Sequence, residues 1–104
     1  MTEEQQIQAA LLAAGGLAGE AAACNFSDRT DYHIAFAFME TLRKRWPEMI
    51  NKATEAFATG YGSAFGAVTK DRNFPSVCAT QVKEFLNGET ARDVRAFLIQ
   101  RTKP

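Results

Sequence analysis

Apolar residues recur at three- and four-residue steps along nearly the whole chain, and no apolar–polar alternation lasts more than a few residues. That period belongs to helices with one buried face and leaves little room for a sheet. A first segment from about Thr2 or Glu3 to Ala23 sets Ile7, Leu11, Ala14, Ala18 and Ala21 on one side. Gly15-Gly16 weakens it, each glycine costing about 1 kcal/mol relative to alanine, so a kink or a split is expected there. Asn25 to Thr30 reads as a turn, with Ser27, Thr30 or Asp31 available to cap the next helix.

The second helix, over about 31–46, has the clearest stripe: Ile34, Phe38, Leu42 and Trp46 step by four, flanked by Ala35 and Met39. Tyr32 and Phe36 lie off that stripe, and a central helix with two packed faces would bury them; the alternative is apolar surface for binding. Pro47 fits the first turn of a new helix and not the interior of an old one, so the chain breaks near Trp46. A third helix, about 48–68, groups Ile50, Ala53, Phe57, Tyr61, Ala64 and Val68; Gly60, Gly62 and Gly66 make its second half either tightly packed or broken. After a polar loop over 69–74, a fourth helix starts near Pro75 or Ser76, turns Cys78, Val82, Phe85 and Leu86 inward, and stops at Asn87-Gly88. A fifth starts at Thr90, with Asp93 completing a rough capping box and Ala91, Val94, Phe97 and Leu98 as its apolar stripe. The expected fold is all-α: four or five helices in one bundle-like domain spanning residues 1–104, with the second helix central and the Ala/Gly-rich opening free to attach loosely.

Cys24 and Cys78 are the only cysteines. With no Cys-x-x-Cys and a single histidine they fit no zinc pattern, and no metal or other cofactor is expected. Two buried free thiols are one alternative and a reactive thiol another, but position favours a disulfide, since each cysteine lies at a helix end. Closing so long a loop stabilises a fold by roughly 4 kcal/mol in the chain-entropy model, comparable to the net stability of a small domain. Such bonds persist in oxidising compartments, so a periplasmic or secreted protein is expected, its leader removed ahead of Met1. The stretch 9–24 is no leader itself: Glu3-Glu4 stands where positive charge is needed and Glu20 interrupts the apolar run.

The 12 acidic and 12 basic residues balance, so nothing drives the chain onto nucleic acid or an anionic membrane. The balance is uneven along the chain: up to Leu42, six acids (Glu3, Glu4, Glu20, Asp28, Asp31, Glu40) face only Arg29. Arg43-Lys44-Arg45 reads as a solvated helix end. No run of apolar residues is long enough to span a bilayer.

Candidate chemistry is sparse. His33 shares a helix face with Ala37, Glu40 and Lys44, a solvated position. Glu48 with Glu55, and Glu89 with Asp93, lack a second chemical group. Asn25-Phe26-Ser27 matches a glycosylation sequon, relevant to a eukaryotic chain. Gly60-Tyr61-Gly62-Ser63-Ala64-Phe65-Gly66 fails the dinucleotide fingerprint, because its third glycine comes one place late and no strand precedes it. Its small residues read as letting helices approach closely or letting the chain turn; the alternative is a mobile loop presenting Tyr61, Ser63 and Phe65 to a partner, aromatics being common interface anchors.

Two resemblances sit on these residues, each covering under half the chain. The early cysteine, the helical middle, Phe74-Pro75 and Cys78 resemble the small periplasmic acid-stress chaperones. The Gly-rich helix and the stretch from Cys78 to Leu86 are similar to certain type VI secretion immunity proteins. Both imply a disulfide-stapled helical protein that works by binding other proteins. The expected function is therefore a non-enzymatic, exported inhibitor or immunity factor whose partner is a toxin or an enzyme, with a homodimer left open. A periplasmic acid-stress chaperone and a cytosolic interaction module with free thiols are the alternatives.

Overall fold

A computed structural model describes residues 1–102 and contains five helices and no strand among them. The first, α1 (Glu3–Ala23), opens on a capping box: the Thr2 hydroxyl accepts the Gln5 N–H at 3.1 Å, and the Gln5 side-chain oxygen accepts the Thr2 N–H at 3.0 Å. It ends in a Schellman turn. Asn25 takes the left-handed conformation (φ 58°), its N–H reaches the Ala22 carbonyl, and the Phe26 N–H reaches back to Ala21 at 3.0 Å. Asparagine tolerates that conformation better than most residues.

Asp28 then sets the start of α2 (Thr30–Arg45) by accepting from the Thr30 backbone N–H at 2.9 Å and from the Thr30 hydroxyl. None of the three caps expected from sequence does this work. Pro47–Met49 forms a single 3-10 turn that leads into α3 (Ile50–Thr69). The fourth helix, α4, covers 74–86 as an α-turn Phe74–Val77, a π-turn Cys78–Val82 and an α-turn Lys83–Leu86. Gly88 connects it to α5 (Glu89–Thr102) without a left-handed φ; its carbonyl accepts the Arg92 N–H, so it opens the next helix instead of capping the last one. Thr90 lies inside α5, and the capping box expected with Asp93 does not form.

The α1 helix is not split at Gly15-Gly16, and α3 runs unbroken past its three glycines. Close approach explains Gly15, Gly19 and Gly60, whereas Gly16, Gly62 and Gly66 face open space. Along the seam Glu4 pairs with Lys52, Gly15 lies against Phe57 and Tyr61, Gly19 against Tyr61, and Ala23 clusters with Val68, so α1 and α3 run parallel. A Cβ on Gly15 would lie 2.1 Å from the Phe57 carbonyl oxygen, and one on Gly60 2.0 Å from that of Leu12. Only glycine lets two backbones come this near. The intrinsic helix penalty of these glycines is offset by the packing it permits.

Two apolar clusters result. The main core joins Ile7, Leu11, Ala14, Phe38, Leu42, Phe57 and Leu98 from α1, α2, α3 and α5. A smaller one holds Ala23, Val68, Cys78 and Val82, with Phe26, Phe74, Val77 and Leu86 partly buried around it. The Cys24–Cys78 disulfide lies within this second cluster, and the described residues contain no free cysteine. The free-thiol alternatives are thereby excluded. Several stripe positions fall outside the cores. Trp46, beyond the last turn of α2, and Phe85, on the outer side of α4, are both exposed. Tyr32 and Phe36, expected to be buried, are 37% and 44% exposed, because α2 packs one face inward and leaves the other uncovered.

Candidate partner-binding face

Five aromatic rings form one continuous surface across α2 and α3. Tyr32 and Phe36 are four residues apart on α2 and meet at 4.5 Å between ring centroids. Phe57, Tyr61 and Phe65 have the same spacing on α3, each 6.3 Å from the next, with Tyr61 and Phe65 nearly parallel at 7°. Phe57 is the pivot. It is buried, and the α2 rings stand edge-on to it at 71° and 75°. Edge-to-face and offset arrangements of this kind are favourable beyond the area they bury, by about 0.5–1.5 kcal/mol per pair. The rings therefore hold one another in place before any partner arrives, although Tyr32, Phe36 and Phe65 remain open to solvent.

The surface continues around α2. His33, Ile34 and Ala37 form a shallow, largely apolar groove with Ile99 and Thr102 of α5. Ile99 is exposed, and His33 lies 6.3 Å from Tyr32 edge to face. The His33 N–H donates to the Arg29 carbonyl at 3.0 Å, and its side chain is exposed, in keeping with the solvated position expected on α2. At the other end a small cavity of about 60 Å³ separates Tyr32 and Tyr61 from Phe26 and the turn after α1.

An ion pair fixes the N-terminal end of α2 that carries this face. Arg95 of α5 donates to the buried Asp31 carboxylate at 2.6 and 3.0 Å, and to the Leu86 carbonyl of α4 at 2.8 Å. Hydrogen bonding to Asp31 pushes Arg95 above its ordinary pKa, so the guanidinium keeps its charge. Three helices are thus tied at one point by a planar, bidentate contact. Asp31 is an anchor and not a helix cap.

Of the candidates named from sequence, Tyr61 and Phe65 stand together on this face. Ser63, two residues from each, projects about 200° around the helix from Tyr61 and belongs to a different side of α3. Sequence reasoning missed Phe57 as the pivot and the Asp31–Arg95 tie. The Tyr32/Phe36 spacing of four, outside the main stripe of α2, was the available signal for the rest. No group of three or more potential metal ligands occurs among the described residues. No described helix is long and apolar enough to cross a membrane. No protein-family model matches the chain, and no curated protein or solved structure matches it. Fold and surface define its class: an all-α, disulfide-linked protein with an exposed aromatic face.

Proposed function

We propose that the chain is an exported, non-enzymatic binding protein that grips a partner protein through the face of Tyr32, Phe36, Tyr61 and Phe65, backed by buried Phe57, as an inhibitor or immunity factor blocking an enzyme or toxin. The observation that carries this reading is the ring ladder itself. Large apolar side chains left open and already held in position are what interface hot spots are made of, and they lose little conformational freedom on binding. Contiguous exposed apolar surface on a small protein marks an interaction site more often than chance would. The disulfide supports export, because thiol-reducing compartments do not preserve such a bond.

The acid-stress chaperone reading has less support. It needs acid to release apolar surface, whereas the two shifted carboxyls act in opposite senses: Glu20, raised by burial, favours the folded form when protonated, and Asp28, lowered by hydrogen bonds from Thr30, loses its contribution in acid.

The test places a photo-crosslinking residue at Phe36 or Phe65, and as a control at Glu48, in the chain expressed in its native host. The partner captured through the aromatic positions is then purified and titrated. Phe36→Ala combined with Phe65→Ala is expected to weaken its binding by about 2 kcal/mol or more, roughly thirtyfold, with the helical circular dichroism unchanged. Unchanged affinity in that double variant overturns the proposal. Crosslinks joining two copies of this chain would replace the foreign partner with a homodimer.

A further inference from the structure

We infer that the Cys24–Cys78 disulfide is a redox-controlled clamp on α4: reducing it frees residues 74–86 from the body of the protein while α1, α2, α3 and α5 stay folded. The division of the core is the first reason. Every buried member of the main cluster comes from α1, α2, α3 or α5, and none from α4. The buried residues of α4, Cys78 and Val82, pack instead with Ala23 and Val68 at the C-terminal ends of α1 and α3. One cluster can open without the other.

The segment is also weak on its own account. It is short, and a π-turn divides its regular α-turns into two pieces of four residues each. Isolated helices of this length are marginal in water. Turns bound it on both sides, the exposed residues 70–73 and the Asn87–Gly88 junction, so it can swing away without pulling on α3 or α5. Docking it carries a cost as well. Glu20 of α1 lies in a groove lined by Val77, Gln81, Val82 and Phe85 of α4, and one of its carboxylate oxygens is buried with no hydrogen-bond partner. Removing α4 returns that oxygen to water. Apart from the disulfide and the bonds of its own flanking turns, to Asp71 and Asn73 before it and from Asn87 and Gly88 after it, a single hydrogen bond ties the α4 backbone to another helix, Arg95 to the Leu86 carbonyl. Arg95 keeps its two bonds to Asp31 when that contact breaks.

The chemistry is thiol–disulfide exchange with a dithiol. Its thiolate attacks the sulfur of Cys24, which is less buried than Cys78, and Cys78 leaves as thiolate. The second thiol of the reductant resolves the mixed disulfide. Two electrons and two protons pass to Cys24 and Cys78, and the dithiol becomes a disulfide.

Hydrogen exchange on the full chain, oxidised and then held in excess dithiothreitol, reads the result peptide by peptide. Amides in 74–86 are expected to exchange about tenfold faster or more on reduction, while those of α1, α3 and α5 keep their protection, and reoxidation is expected to restore α4. A chain carrying both Cys24→Ser and Cys78→Ser is expected to reproduce the reduced pattern without reductant. Protection lost throughout the chain, or an α4 as protected reduced as oxidised, overturns the inference. Circular dichroism on the same samples separates those two outcomes.

Discussion

Along the seam between α1 and α3 two backbones touch, whereas at the C-terminal ends of the same helices α4 is held to the other helices by a small apolar cluster, one hydrogen bond and a covalent link. The seam is specified by what is absent: side chains at Gly15, Gly19 and Gly60. It needs no charge and no redox partner, and its strength is in dispersion contacts made at short range. The α4 corner depends on its surroundings, because the bond that closes it is reversible and a carboxyl lies under it. One protein thus contains a part insensitive to its compartment and a part that reports on it. The aromatic face draws three of its rings from the seam helix α3, so it is supported by the insensitive part.

The contrast breaks most sharply at Gly60. A methyl group there would overlap the Leu12 carbonyl oxygen and approach the Gly16 nitrogen at 3.0 Å. Both neighbours are backbone, so the helices must separate along their length. Gly60→Ala is expected to cost about 3 kcal/mol even after the gain in helix propensity, measured by urea denaturation. Two residues later, Gly62 has nothing within 4 Å of the same built position. Gly62→Ala is expected to stabilise the chain by about 1 kcal/mol, since only the propensity term remains. Equal effects of the two substitutions would mean that the seam is not glycine-dependent.

The ion pair that ties the α4 corner to α2 and α5 is next in size. Arg95→Met removes both hydrogen bonds to Asp31 and the one to Leu86, leaving a buried carboxylate and a backbone carbonyl unpaired. A loss of about 2 kcal/mol is expected, less than for a fully buried pair because Arg95 is partly solvated. Adding Asp31→Leu is expected to recover part of it, since the stranded charge goes with its partner. Hydrogen exchange in the single variant is expected to quicken first in α4, and a uniform increase would show that Arg95 does not act on that corner.

How much of this was legible in the sequence depends on the range of the interaction. The five helices emerge from apolar period and from Pro47, because those signals are local. The disulfide was legible from two cysteines at helix ends. Gly15 and Gly60 were ambiguous, since a glycine that breaks a helix and one that admits a neighbour look alike until the neighbour is placed. Asp31 reads as a cap because its partner, Arg95, is 64 residues away, and no local pattern announces such a pair. Tyr32 and Phe36 would turn inward only if α2 were central; α1 takes that place instead, with Leu11 and Leu17 fully buried. Tyr61 and Phe65 were legible because their own helix sets them side by side, while Ser63 joins them by closeness in sequence and not by helical angle.

The smallest expected effect is the most diagnostic of the α4 corner. Burial raises the pKa of Glu20 from 4.5. The folded chain therefore holds that proton more tightly than the unfolded one, and the stabilisation is complete below the unfolded value and lost as pH rises through the folded value. Asp71, from the loop before α4, is the other ionisable group lining the same groove, and Gln81 is the polar group that α4 presents to it. Asp28 titrates in the opposite sense, its pKa lowered by hydrogen bonds from Thr30, so its contribution is lost as acid is added. Glu20→Gln isolates the first term. The variant is expected to melt a few degrees above the parent at pH 7.5, a change on the order of 1 kcal/mol or less, and to converge with it near pH 4. Because the carboxyl lies under α4, the difference at pH 7.5 is expected to be larger in the reduced protein's α4 exchange than in global melting. A Glu20→Gln difference that does not change with pH would place the effect in packing and leave the carboxyl's charge with no part in holding that corner.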